Sequence, residues 1–551
     1  MKPIRYFVII CMITMFYSCT KNLDLAPKDA ISDASFWMTK VDFELAANNF
    51  YWRLDAHAKE NDADIMTGIL KSSISNGSYL PSDASSMWSG PYTGIRNTTY
   101  LLEKAINSPA KDEIQRYVGE ALFFRALEYL RLVKAYGDVP LVTKVLDVDS
   151  EELTAPKTER TKVVDFILDE LDKAIPLLPK QSELSSKELG RITSGAALAL
   201  KARVGLYEGT WQKYHGTNKN VDKYLNAAIE ASNSVINSGE YQLYTDPGSQ
   251  ENSLWRLYDY FGDDSKEVIL ASRYALNIRT SPFSWDICLW SPTKKLADMF
   301  LCTDGLPIYK SPLFQGYATM TSEFINRDPR MAQTILPPGT PHYRDNHFTL
   351  TPYYYVEMPR LCSGYINRKA YTQDLNAVRN YGKDVMDFKM IRYAEVLLIY
   401  AEAVFEKSGS ISNADLNKSI NILRKRAGIN MLDLTNEFVT ANGLDMKTEI
   451  RRERTVELAL EGFRLDDLKR WKTAEIEMPM DMLGVKFQGT EYEMFYSQFK
   501  VGKDIFVNEN GFKIVELAAN RRFEQKHYLF PLPLVQLQLN PNLKPQNPGW
   551  E

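Results

Sequence analysis

Apolar residues recur every three and four positions along several long stretches of the chain, the spacing that gathers them on one face of an α-helix. Over residues 117–136 they are Val118, Leu122, Ala126, Tyr129, Val133 and Tyr136, and Gly137 stands where the helix must stop. Val163, Ile167, Leu171 and Ala174 repeat the pattern until Pro176 ends it. Residues 193–209 predict a helix rich in small side chains, with Gly195, Ala196, Ala199, Ala202 and Gly205, so a second helix can approach it closely. Leu225, Ala228, Ile229, Ser232 and Ile236 predict another, closed by Gly239. Later helices are expected over 388–407, over 412–427 between a Ser412/Asp415 cap and Gly428, and over 448–471 with a break near Gly462. The expected fold is therefore mostly α, a tetratricopeptide-like scaffold of helix pairs, although the strict repeat signature is missing.

The pattern changes after residue 250. Residues 251–375 hold 20 Tyr, Phe and Trp, and residues 281–360 hold 10 of the chain's 26 prolines. Proline at that density forbids long helices, so a loop-rich insertion with short strands is expected over about 251–385. It divides a helical half, 39–250, from a second half, 251–551. Loops on a rigid helical scaffold are where binding residues concentrate.

The first residues read as an address. Lys2 and Arg5 precede an apolar run over 6–16 that is too short to span a bilayer and has the proportions of a secretory signal. Ser18 and Cys19 follow it. A lipoprotein signal peptidase would cut there, removing residues 1–18 and leaving Cys19 to carry lipid; the blander reading is one anchoring helix with an incidental cysteine. The polar segment over 19–38, with Pro27, is expected to be a tether.

Composition narrows the function classes. With 66 Lys and Arg against 70 Asp and Glu, the net charge is -4, and no basic excess points to nucleic acid. The 44% hydrophobic content and mean hydropathy of -0.32 exclude a disordered chain and a multi-pass membrane protein. Beyond Cys11 and Cys19, the cysteines Cys288, Cys302 and Cys362 allow at most one disulfide and no zinc cage.

Ordered motifs then carry a resemblance. Residues 119–141 read GEALFFRALEYLRLVKAYGDVPL, and 190–203 read GRITSGAALALKAR. Cys19 with Leu23, Asp24 and Pro27 precedes them; NRDPR at 326–330, RYAEVLL at 392–398, Glu453 to Arg464 with its EGFR, the DLKRW at 467–471, and NPNLK and QNPGW near the end follow. This order resembles the SusD/RagB family of Bacteroidetes surface lipoproteins over essentially the whole mature chain. The resemblance implies a non-catalytic, lipid-anchored outer-membrane protein. Such a protein captures oligosaccharide or polysaccharide for a SusC-like TonB-dependent transporter, over which it sits as a hinged cover. Capture of peptides or another nutrient by the same route is the alternative, and a glycoside hydrolase with acids distant in sequence is a remoter one.

The residues themselves offer little catalytic chemistry. No nucleophile elbow, phosphate-cradling glycine loop, dinucleotide fingerprint or H-E-x-x-H helix occurs. Glu449, Glu453, Glu457 and Glu461, four apart, read either as a metal stripe or as ion pairs tying neighbouring elements together, and the second reading is preferred. Adjacent Asp466 and Asp467 would point about 100° apart on a helix and cannot flank one bond. His342 and His347 are a weak metal signal, and Asp62, Asp64, Asp263 and Asp264 lack a full Ca²⁺ loop, so no cofactor or metal is expected and a structural Ca²⁺ is only allowed.

A sugar site needs aromatic platforms beside short polar groups. Trp88, Tyr92, Trp471 and Trp550 fall in the resembling motifs, and Phe36, Trp37 and Trp52 lie beside the tether or on the first helix; all are read as structural. That leaves Tyr79, Trp285 and Trp290 as the expected stacking surface, with Asn76, Asp83 and Arg344 as hydrogen-bond partners. Tyr343 and Tyr353 stand nearby in the insertion. The resemblance likewise implies a site assembled from an early loop and this insertion.

Overall fold

The computed structural model describes residues 33, 36–56, 63–68, 73–74, 76–280, 290–344, 347–350, 363–369 and 383–551. Its long helices arise where the 3.6-residue period is longest. They are α1 (Lys40–Asn48), α2 (Ser86–Ile106), α3 (Gln115–Tyr136), α4 (Arg160–Ala174), α5 (Ser194–Tyr214), α6 (Val221–Asn237), α7 (Tyr393–Ser408), α8 (Met446–Glu457) and α9 (Arg464–Arg470). Thr39 caps α1 in a reciprocal box with Asp42, Thr193 caps α5 through the Ala196 amide, and Gly137 ends α3 at φ 75°. Successive helices pack on one another from α2 to α6, and α7 packs against α5, α6 and α8. Among the described residues no helix is long and apolar enough to cross a membrane.

Small residues on α5 do what their pattern implied. A methyl group on Gly205 would lie 2.6 Å from the Tyr224 carbonyl and 2.8 Å from the Ala228 amide, so only hydrogen there allows α6 to cross this closely. Helix α3 is buried almost all round, and its charged positions are matched from neighbouring elements: Glu120 by Arg191 at 2.8 Å, Arg125 by Glu170 at 2.5 Å, and Glu128 by Arg53.

Among the described residues eight short strands form antiparallel pairs. They are β1 (Met66–Gly68), β2 (Val268–Ser272), β3 (Trp290–Pro292), β4 (Pro341–Arg344), β5 (His347–Leu350), β6 (Phe388–Arg392), β7 (Met482–Lys486) and β8 (Phe512–Glu516). The pairs are β1 with β3, β2 with β6, β4 with β5 and β7 with β8. Four of these strands, β2 to β5, lie in the proline-rich insertion, where short strands are expected.

Two expected helices and the expected tether differ from the sequence reading. The helix expected over 388–407 begins only at Tyr393, because Phe388–Arg392 finds a backbone partner in β2, and a five-residue segment is too short for its period to separate strand from helix. The helix expected over 412–427 breaks into Asn413–Lys418 and Ile420–Arg424. At the break the Ser419 hydroxyl donates to the Asp415 carbonyl at 2.6 Å, competing with the helical ladder. The tether expected over 19–38 is fastened at its far end, where Asp33 accepts from Lys104 and Tyr100 at 2.6 Å and from Trp37 at 3.0 Å.

The glutamate stripe is a buried ion network, but its partners are remote in sequence rather than the intervening Arg451, Arg452 and Arg454. Glu453 pairs with Arg330 and Arg424, Glu457 with Arg330, Arg392 and Arg426, and Glu461 with Arg392 and Lys369. Only Glu449 takes a partner on its own helix, Arg452. Glu461 lies beyond the end of α8, past Leu460 at φ 64° and Gly462 at φ 85°.

One buried carboxyl lacks such a partner. Glu323 accepts the Tyr365 hydroxyl at 2.8 Å, and burial pushes its pKa up to about 7. Its folded pKa exceeds the unfolded value near 4.5, so the native state holds this proton more tightly. The burial cost is absent below about pH 4.5 and fully felt above about pH 7. Glu323→Gln should therefore be more stable than the parent at pH 8 by roughly 2–3 kcal/mol, with the gap closing toward pH 4.5. Denaturation at the two pH values checks this; a constant gap would mean that Glu323 titrates normally.

Candidate ligand-binding site

The early loop and the head of the insertion are held side by side by backbone. Met66 pairs with Pro292, Thr67 with Ser291 and Gly68 with Trp290. The Thr293 amide donates to the Ile65 carbonyl at 2.9 Å and its hydroxyl to the Asp64 carbonyl at 3.0 Å. Asp64 is then locked by Arg464 at 2.8 Å and Lys295 at 2.5 Å. Burial alone would raise its pKa, but these two cations hold it down at about 2. The ladder is thus pinned to α9.

A partly exposed aromatic rim forms where the first helical segment meets the turn after β2. Trp52 is 59% exposed at the end of the first helical segment. The Arg279 guanidinium lies 5.9 Å from the Trp52 ring and 4.6 Å from the Tyr274 ring. Two further contacts fix this geometry. The Ser272 hydroxyl donates to the Asp55 carbonyl at 2.5 Å, tying the Trp52 segment to β2, and the Tyr274 amide donates to Asp387 at 2.8 Å. The tip of the Arg273–Arg279 turn also exposes Leu276 and Ile278.

A cavity of about 740 Å³ opens next to the rim, bordered by Asp55, Ala56, Phe388 and Tyr207 and floored by α3 and α9. That volume falls in the ordinary range of small-ligand sites. Its charges are mostly mutually satisfied: Arg131 with Asp55 at 2.7 Å and Glu128 at 3.0 Å, Lys134 with Asp466, and Arg203 with Glu395 at 2.7 Å. Asp467 takes Arg454 at 2.8 Å and Arg470 at 2.9 Å, so neither member of the Asp466 and Asp467 pair is held as a free acid or base. Lys469 is buried on this wall, 4.8 Å from the Phe530 ring, and burial pushes its ammonium down to about 8 against the pull of Asp466.

The residues expected from sequence are placed as follows. Tyr79 is not an open platform: its ring packs 5.3 Å from His527, 5.0 Å from Phe530 and 5.1 Å from Trp550, and its hydroxyl donates to the His527 carbonyl at 3.3 Å. Asn76 caps the Ser78 amide through its side chain and accepts Arg522 on its carbonyl, which makes it part of the same strap. Asp83 is exposed, and its carbonyl accepts the Val535 amide at 3.2 Å. Trp290 enters the site as a backbone partner of Gly68; Tyr343 and Arg344 form the β4 edge of a hairpin, paired with Phe348 and His347. Cys19, Trp285 and Tyr353 lie outside the described residues.

The comparisons with known proteins agree with this architecture. Residues 29–206 match a family described as starch-binding, associating with outer membrane. Residues 249–550, more than half of the chain, match the SusD family. The chain belongs to the SusD family. Among its relatives, SusD-like protein P38 of Formosa agariphila is 24% identical over 524 residues, covering 87% of this chain and 93% of that one. A SusD-like protein of Bacteroides ovatus is 23% identical over 507 residues, covering 85% and 82%. The fold is shared with a SusD-like carbohydrate binding protein from Bacteroides fragilis, at 23% identity and a TM-score of 0.76 over 93% of this chain and 100% of that one. Surface glycan-binding protein A from Bacteroides fluxus gives 18% identity and 0.62 over 93% and 100%.

In this SusD-family chain the family motifs build the scaffold. NRDPR places Arg330 in the ion network, RYAEVLL carries Arg392 and Glu395, and DLKRW supplies Asp467, Arg470 and the Trp471 indole that donates to Glu402 at 2.6 Å. The rim residues Trp52, Tyr274 and Arg279 lie outside those motifs. Sequence reasoning set Trp52 aside as a first-helix residue; its signal was an indole flanked by Tyr51 and Arg53 at a helix end, where nothing remains to cover it. Asp64, Asp263 and Asp264 are engaged by cations, with Asp263 held by Lys389 and Asp264 by Arg273 at 2.7 Å. Among the described residues no three His, Cys, Asp or Glu side chains converge as a metal set. Cys302 is a buried thiol.

Proposed function

We propose that this SusD-family protein is a non-catalytic binding protein of the outer membrane that captures oligosaccharide or polysaccharide and delivers it to a SusC-like TonB-dependent transporter. The rim of exposed Trp52 with half-buried Tyr274 and Arg279 carries the reading: it stands beside a small-ligand-sized cavity, on a scaffold whose acids are largely neutralised by cations. Sugars present flat C–H faces ringed by hydroxyls, which suit an indole and a phenol flanked by a guanidinium. The shared fold with proteins named for carbohydrate and glycan binding supports the same ligand class. Trp285, Trp290 and Arg344, at the head and along the insertion, complete the proposed site.

Anchoring follows from Cys19, where two or three acyl chains bury enough methylenes for stable membrane attachment. Cells fed a clickable fatty acid should label the parent and leave Cys19→Ala unlabelled and released; label on the variant would refute the anchor. For the function, the soluble protein titrated against a polysaccharide panel should retain at least one glycan and release no reducing ends, while the full-length protein should co-purify with its barrel in mild detergent. Hydrolysis, or retention of peptides but no glycan, would overturn the reading.

A further inference from the structure

A second concave surface lies apart from the rim. It is a groove of about 930 Å³ built from residues 242–248, which follow α6, and residues 256–266, which lead into β2. Phe261 stands in it 60% exposed. The Arg256 guanidinium lies 4.5 Å from the Phe261 ring and 5.2 Å from the Trp255 ring. Among the described residues Arg256 has no carboxylate within ion-pair distance, and its buried Nε has no hydrogen-bond partner; the buried Ser265 hydroxyl has none either. Carboxylates answer the guanidiniums of Arg330, Arg392 and Arg426, and backbone carbonyls answer that of Arg327. A half-buried guanidinium that no carboxylate answers keeps its charge available to an anion that enters the groove.

The acids of the groove are already engaged. Asp246 accepts the amides of Gly248 at 2.9 Å and Ser249 at 2.7 Å and the Tyr244 hydroxyl at 2.9 Å, and Asp264 is paired with Arg273. Lys266 is exposed and has no ion pair among the described residues. What the groove offers a ligand is therefore two cations and an open ring. A planar guanidinium matches a carboxylate or sulfate through two parallel hydrogen bonds, and the ring takes the apolar face of the sugar that bears it. We propose that this groove is a second saccharide site, selective for sugars carrying a carboxylate or sulfate group. The proposal rests on the glycan-capture reading but uses none of the rim residues.

Isothermal titration of the soluble protein with tetragalacturonate, a carrageenan tetrasaccharide that bears sulfate and no carboxylate, and a neutral galactan tetrasaccharide tests it. At least one acidic oligomer should bind, and its affinity should fall tenfold or more in Arg256→Gln and in Phe261→Ala while Trp52→Ala leaves it within twofold. Whichever acidic oligomer binds distinguishes carboxylate from sulfate. Should Arg256→Gln lower the melting temperature, Lys266→Glu decides at an exposed position: it should weaken acidic oligomers at least threefold without touching stability. Acidic oligomers that bind no better than the neutral one, or that bind unchanged to all three groove variants, overturn the groove assignment even if the rim still takes neutral glycan. Failure of every glycan at both places would instead overturn the glycan-capture reading.

Discussion

Glu457→Ala should destabilise the protein by about 3–5 kcal/mol, enough to lower expression or abolish folding at 37 °C. Glu457 faces three fully buried guanidiniums: Arg392 at 2.8 Å, Arg426 at 2.9 Å and Arg330 at 3.4 Å. Burial alone would raise its pKa, but Arg426, Arg392 and Arg330 hold the carboxyl well below its usual range. With the folded value depressed, its contribution is present above the unfolded pKa near 4.5 and is lost as pH falls below that. Removing the carboxylate leaves three buried charges sharing Glu267, Glu453, Glu461 and Asp328, and desolvated cations in that state are costly. Lys173→Ala is the control: its pair with Asp169 is exposed, and its loss should be worth less than about 0.5 kcal/mol. Thermal and denaturant unfolding of both variants decides the matter; a Glu457→Ala protein within about 1 kcal/mol of the parent would show that the network tolerates the hole.

Trp52→Ala should cost roughly tenfold in affinity for the captured glycan, the equivalent of about 1–2 kcal/mol for one stacking ring, with little change in melting temperature. The indole is mostly in solvent, so truncation removes little buried surface. Tyr274→Ala should act in the same direction, because the two rings flank Arg279. Tyr79→Ala, by contrast, should act through stability, since its ring is one of four packed together with His527, Phe530 and Trp550. Unchanged affinity in Trp52→Ala, or weakening that tracks unfolding, would place the glycan elsewhere.

Much of the scaffold was legible in the sequence, because local period and small residues specify α3 to α6 and the approach at Gly205 without reference to distant partners. The glutamate stripe was legible as ion pairing, yet its partners were not, since Arg330, Arg392, Arg424, Arg426 and Lys369 reach it through tertiary contacts that no spacing encodes. Strand β6 was read as helix because only its pairing with β2 selects the extended form. The meeting of early loop and insertion, seen in the pairing of β1 with β3, was legible as well. Which aromatics face outward was not: Tyr79 and Trp52 carry similar sequence signals, and only the packing of the C-terminal segment on one of them separates platform from strap.

That strap sets the order of assembly. Tyr79 and its acceptor at His527 are 448 residues apart, and Asp64 and Arg464 are 400 apart. A polypeptide emerging from its N-terminal side keeps the early loop without its supports until nearly all of it has been released. Closing such long intervals is slow, and the helices of the first half can settle well before the loop does. If the chain is exported in an extended state, as the proposed outer-membrane placement requires, this delay would be protective, because the early loop locks only once the C-terminal segment has followed the rest across.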